Sequence, residues 1–138
     1  MNGRLEIETV DIVHPDQVTA LRARLASRRF DLLFVNAGVK NADHETIADV
    51  STDEFVRVMV TNALSPMRVI EVLQDVVLPG GTIGIMSSGQ GSVANNESGH
   101  FEVYRGSKAA LNMFTRSTDV SLNPPPQQPR RRRAQHHH

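Results

Sequence analysis

Apolar positions fall into three strand-like runs, each followed by a stretch of helical period. Leu5-Glu6-Ile7-Glu8-Thr9-Val10-Asp11 alternates apolar and polar residues as a strand with one buried face does. His14-Pro15-Asp16-Gln17 then puts proline and an acid where a helix begins, and Val18, Leu21 and Leu25 recur at helical spacing. A helix is predicted through about Ser27. Phe30 to Val35 is almost wholly apolar apart from Asp31, which predicts a parallel strand covered on both faces. Ser51-Thr52-Asp53-Glu54 has the spacing of a capping box, with the serine hydroxyl and the glutamate each able to satisfy an orphan N–H. The helix it opens is predicted to run from Thr52 towards Leu78, where Pro79-Gly80-Gly81 stops it. Pro66 lies inside that helix and has no N–H for the Asn62 carbonyl, so a bend is expected there with the carbonyl left free. Thr82 to Ser88 reads as a third strand, and a glycine- and asparagine-rich loop leads to a helix beginning near Glu102. Strand and helix in alternation give an α/β class with no internal repeat.

Length and composition, at 138 residues, 39% apolar and 22% charged, fit one soluble domain. Basic and acidic residues balance at 15 each, so net charge gives no argument for nucleic acid or a membrane as partner. The absence of cysteine excludes disulfides, thiolate metal sites and a cysteine nucleophile, and fits a reducing cytoplasm. No stretch approaches the ~20 apolar residues of a membrane span, and the N-terminus has no apolar signal core. His14, His44 and His100 lack metal-ligand spacing, so no metal is assigned. After Ser117 the composition changes: residues 118–138 read as a low-complexity tail with a proline-rich run, four arginines from Arg130 to Arg133, and a tag-like His136-His137-His138. Residues 1–117 are the predicted domain. The arginines have no interleaved aromatics, so they read as a solvated end and no nucleic-acid partner is expected.

Chemistry concentrates in four places. Tyr104 and Lys108, four apart on the last helix, share a face, where the ammonium favours the phenolate that a proton-transferring tyrosine needs. A tyrosine with the usual pKa of about 10 needs such a cation to act as a base at neutral pH. Asn36-Ala37-Gly38 follows the apolar strand, Asn62 sits inside a helix, and Ser87-Ser88 ends the third strand. Taken in this order, from about Leu5 to about Arg116, the features resemble the short-chain dehydrogenase/reductase family.

That resemblance implies a partial Rossmann-type, doubly wound parallel sheet holding the family's third, fourth and fifth strands with their helices. The first βαβ unit and the last strands would be missing, and no GxxxGxG phosphate loop occurs in the chain. It also implies hydride transfer between NAD or NADP and a small alcohol or carbonyl substrate. Tyr104 would exchange the proton with the substrate oxygen. Lys108 would hold the nicotinamide ribose, and Ser88, with Ser87 as the near alternative, would position the oxygen. The main chain of Asn62 would hold a relay water; Asn36, Ala37 and Gly38 would line the ribose side; Asp11 would face adenine. Local chemistry offers plainer roles for Ser88, as a hydroxyl bonded to backbone, and for Asp11, as a carboxylate near a helix start. In the family's strand order the fourth and fifth strands pair, and the third would face a gap. Without the phosphate loop the chain is expected to show no turnover. The alternative is a non-enzymatic fragment that associates through the helices starting near Thr52 and Glu102, as a homo-oligomer.

Overall fold

The computed structural model describes residues 3–122. The proline run from Pro124, the four arginines and the terminal histidines lie outside the described residues. Residues 3–10 join no sheet. A strand needs a hydrogen-bonded neighbour, and no described strand lies beside this one, so the alternation from Leu5 to Asp11 produces no ladder. Instead the segment is tied to the first helix, α1 (Pro15–Arg24), by Glu8 to Arg24 at 2.8 Å and by the Glu6–Arg28 ion pair just beyond it. Leu5 and Ile7 remain more than four-fifths exposed.

Strand β1 (Phe30–Val35) pairs in parallel with β2 (Val77–Ile85) and makes a two-stranded sheet. Between them the chain climbs through α2 (Thr52–Met59), a π turn (Val60–Leu64), α3 (Ser65–Leu73) and a 3-10 turn (Gln74–Val76). The helix thus ends before Leu78. Pro79-Gly80-Gly81, expected as its stop, lies inside β2, where the register jumps from Phe30↔Val77 to Leu32↔Thr82. This bulge suits a proline that cannot donate to a ladder and Gly80 at φ 81°. β2 ends at Ile85, and Ser87-Ser88 stand in the loop beyond it.

The capping box forms by half: Ser51 Oγ accepts from the Glu54 N–H at 3.1 Å. The Glu54 carboxylate instead grips the Arg57 guanidinium at 2.8 and 2.6 Å, because a bidentate charged pair outcompetes a single neutral N–H. At Pro66 the helix responds to the missing donor with the π turn immediately before it, where the Ser65 N–H reaches back to the Val60 carbonyl.

Val18 of α1, Val35 of β1, and Val69, Leu73 and Val76 form the main core, with Val10, Ile12, Leu21 and Leu33 packed around it. Arg22 of α1 locks onto Asp75 with two bonds, 2.9 and 2.6 Å, and joins α1 to the 3-10 turn after α3. Leu33 and Val35 face this core, but Leu32 and Phe34 on the opposite face of β1 are 56% and 50% exposed. β1 is therefore covered on one face, not two: α1 and α3 supply the residues packed on the side of Leu33 and Val35. The last helix, α4 (Glu102–Leu122), continues through Ser117 and packs against α2, α3 and the π turn.

Candidate active site

Three elements meet around one buried cation. Lys108 projects from α4 and is 3% exposed; its Nζ donates to the Met86 carbonyl, just past β2, at 3.3 Å. The same ammonium lies 5.9 Å from the centroid of the half-buried Tyr104 ring, one helical turn earlier. Gly38, in the loop after β1, closes the third side: a Cβ built there would stand 3.3 Å from Lys108 Nζ and 3.5 Å from Asn62 Oδ1. Among the described residues no carboxylate pairs with Lys108, and burial lowers its pKa from the ordinary 10.5. An ammonium has three donors, and the Met86 carbonyl takes one.

Asn62 sits in the π turn, fully buried, with Thr61 and Ala63 buried beside it. Its side chain clasps two neighbours. Oδ1 accepts from the Val39 N–H at 2.8 Å; Nδ2 donates to the Val39 carbonyl at 2.6 Å and to Ser107 Oγ at 2.9 Å. Ser107 Oγ in turn donates to the Tyr104 carbonyl at 2.7 Å. The loop carrying Gly38 is thereby fastened to the helix carrying Tyr104 and Lys108.

The serine pair divides its work. Ser88 Oγ accepts from the Gln90 N–H at 3.1 Å and caps a 3-10 turn over Gly89–Gly91, so it makes the local backbone bond open to any strand-end serine. Ser87 Oγ donates to Asn112 Oδ1, and Asn112 Nδ2 reaches the Gly91 carbonyl at 3.5 Å. Tyr104, Lys108 and Asn112 form one stripe at intervals of four on α4, and the last two hold the loop from Met86 to Gly91. That loop lies so close that a Cβ on Gly91 would come within 2.9 Å of the Lys108 carbonyl carbon and Cβ.

Of the expected residues, the structure brings together Gly38, Asn62, Tyr104 and Lys108, with Ser87 and Ser88 in the loop docked beside Lys108. Asn36 and Ala37 are exposed at the end of β1. Asp11 stands apart from this cluster. Its Oδ1 accepts from the Val13 N–H at 3.1 Å and its Oδ2 lies 3.6 Å from His14 Nε2, so it shapes the entry to α1. Sequence reasoning missed Ser107, Asn112 and Gly91. The signal was a serine and an asparagine on the inward side of a helix, where polar side chains need a specific partner.

A family model described as enoyl-(acyl carrier protein) reductase matches residues 2–125, nearly the whole chain. The chain belongs to the short-chain dehydrogenase/reductase family. A short-chain dehydrogenase/reductase from Burkholderia multivorans with bound NADP superposes with a TM-score of 0.83 at 62% identity, over 86% of this chain and 52% of that one. A carbonyl reductase from Pseudomonas aeruginosa in complex with NADP gives a TM-score of 0.78 at 32% identity, over 83% of this chain and 50% of that one. The 1-hydroxy-2-glutathionyl-2-methyl-3-butene dehydrogenase of a Rhodococcus strain is 37% identical over 106 residues, which are 75% of this chain and 46% of that protein. The chain thus spans about half the length of these relatives. Its α/β fold, a small parallel sheet with helices, is part of the Rossmann-like fold of short-chain dehydrogenase/reductases. No described helix is long and apolar enough to cross a membrane.

Proposed function

We propose that this chain carries the proton-transfer half of an NAD(P)-dependent oxidoreductase acting on a small alcohol or carbonyl compound. The observation that supports this most is the Lys108 ammonium, buried without a carboxylate, beside the Tyr104 ring and under Gly38. Its unused donors suit the hydroxyls of a ribose, and Gly38 supplies the close backbone approach that such a ligand needs. The NADP in the relative from Burkholderia multivorans favours NADP over NAD. When bound, the nicotinamide supplies or accepts the hydride. Tyr104 exchanges the proton with the substrate oxygen, Lys108 favours the phenolate, and Ser88 donates its O–H to that oxygen while its Oγ accepts from the Gln90 N–H. The Asn62 main chain holds a relay water, and Asn36, Ala37 and Asp11 lie on the cofactor side.

The chain contains no GxxxGxG sequence, so by itself it is expected to oxidise no NADPH in a carbonyl-dependent way. The test is a fusion that places a first βαβ unit bearing that loop ahead of residue 3. Carbonyl-dependent NADPH oxidation should appear and should fall by roughly 10²-fold or more in Tyr104→Phe, as loss of general acid–base catalysis does. A folded fusion that binds NADPH yet turns over equally with and without the phenol would refute the assignment.

A second reading has its own support. Phe55 and Val56 on α2 and Met113 and Phe114 on α4 are exposed, at 38%, 48%, 64% and 45%. We propose self-association of two copies across these helices. Light scattering at tens of micromolar should give a dimer mass, lost in a Val56→Asp, Phe114→Arg double variant; a monomer mass in the parent chain would reject it.

A further inference from the structure

Ser107 has no place in the proton-transfer scheme above, yet it is fully buried and bonded on both sides. Its hydroxyl accepts from Asn62 Nδ2 and donates to the Tyr104 carbonyl, so both its donor and an acceptor position are used. The Asn62 amide, held by this contact, grips both the N–H and the carbonyl of Val39, next to Gly38. A chain of bonds therefore links the loop over the ammonium to the backbone of the very turn that separates Tyr104 from Lys108. Rotation of α4 about its axis, or withdrawal of the Gly38 loop, must break one of these bonds. Ser65 offers a contrast three residues after Asn62: it is equally buried, but its Oγ has no hydrogen-bond partner.

We infer that Ser107 is a positioning residue that, through Asn62, fixes the Gly38 loop and the Tyr104–Lys108 face of α4 in one mutual orientation. The inference rests on the oxidoreductase reading for its catalytic meaning, but its geometric content does not need a bound cofactor.

Two lysines and one tyrosine make the site unusually easy to observe. In the full chain, labelled with 15N-lysine and 13C-tyrosine, Ser107→Ala should move the Lys108 Nζ and Tyr104 ring signals. Ser65→Ala should leave both unchanged. Unmoved signals in Ser107→Ala, or equal movement in both variants, would overturn the inference. Should Ser107→Ala not fold, the parent chain decides: the Asn62 side-chain amide protons should exchange much more slowly than those of exposed Asn36, and equal exchange would overturn the inference. In the fusion described above, Ser107→Ala should lower kcat by about 10- to 10²-fold, the cost of a small misplacement, with KM for the carbonyl within twofold. An unchanged kcat, or a rise in KM alone, would count against positioning. A fusion with no turnover at all, alongside displaced Lys108 and Tyr104 signals, would sink the oxidoreductase reading and leave the role of Ser107 standing.

Discussion

Asn62→Ala removes the clasp between the Gly38 loop and α4 in one step, and the structure allows its cost to be worked out. Three hydrogen bonds disappear, at 2.8, 2.6 and 2.9 Å, from a side chain with no solvent exposure. At roughly 1 kcal/mol net each, they sum to about 3 kcal/mol. Alanine returns about 0.6 kcal/mol through its better helix propensity. Half-buried Val39 regains part of its bonding from water, whereas buried Ser107 keeps its bond to the Tyr104 carbonyl. The expected loss is about 2–3 kcal/mol. Urea denaturation followed by far-ultraviolet circular dichroism reads it directly. With a slope of about 1.5 kcal/mol per molar, the midpoint should fall by roughly 1.5 M with the slope unchanged. A cycle with Ser107→Ala should show coupling of at least about 0.5 kcal/mol, since the two side chains share a bond. A loss below about 0.5 kcal/mol, the size of an ordinary surface change, would refute the reasoning. The clasp would then be a contact without energetic consequence, and the orientation of α4 would have another cause.

Lys108→Met should stabilise the chain most at neutral pH. Burial lowers the pKa of Lys108 in the folded state, so between that value and 10.5 the unfolded chain binds more protons and the parent's stability rises with pH. The advantage of the variant should therefore shrink as pH climbs through that window; denaturation at several pH values checks this, and a pH-independent difference would contradict it. Gly91→Ala puts a methyl 2.9 Å from Lys108 backbone and Cβ, so it should cost about 1–3 kcal/mol and displace the Ser88 loop, as thermal melting and amide shifts would show. Ser51→Ala removes the cap on the Glu54 N–H and should cost about 1 kcal/mol by the same melting measurement, with no effect on the signals of Lys108 and Tyr104.

The helix-forming signals were legible in sequence because they are local. Pro15 and Asp16 begin α1, Ser51 caps α2, and the Tyr104–Lys108 spacing places both residues on one face of α4. β1 was legible to its limits, Phe30–Val35. What failed depended on partners distant in the chain. Leu5 to Asp11 has the alternation of a strand, but a ladder is made by two strands, and its own ion pairs hold it to α1 instead. Pro79-Gly80-Gly81 reads as a stop in any local rule; only the approach of Asp31, whose carbonyl would lie 2.9 Å from a Cβ on Gly81, makes it a bulge within β2. Glu54 was drawn from the capping box by Arg57, a competition that spacing alone does not decide. For the same reason the family motifs pointed to the Asn62 main chain, whereas the bonds of its side chain to Val39 and Ser107 emerge only when α2, α4 and the β1 loop are packed together.

That packing also explains how an ordered hydrogen-bonded cluster around Lys108 coexists with a bare sheet face. Lys108, Tyr104, Asn62 and Ser107 are held by α4, the π turn and two loops, all on the helical side of β1 and β2. None of these hydrogen bonds crosses to the side where Leu32 and Phe34 are exposed. Residues assigned to the cofactor side behave differently: Asn36 and Ala37 are exposed, and Asp11 is spent on a local turn. The cluster's geometry therefore depends on helix–loop hydrogen bonds and not on what covers the opposite face of the sheet. Adding elements to the bare face should raise affinity for NADPH while leaving the Lys108 and Tyr104 signals close to where they are in the chain alone; a wholesale shift of both signals on such an addition would show that the cluster is not preformed.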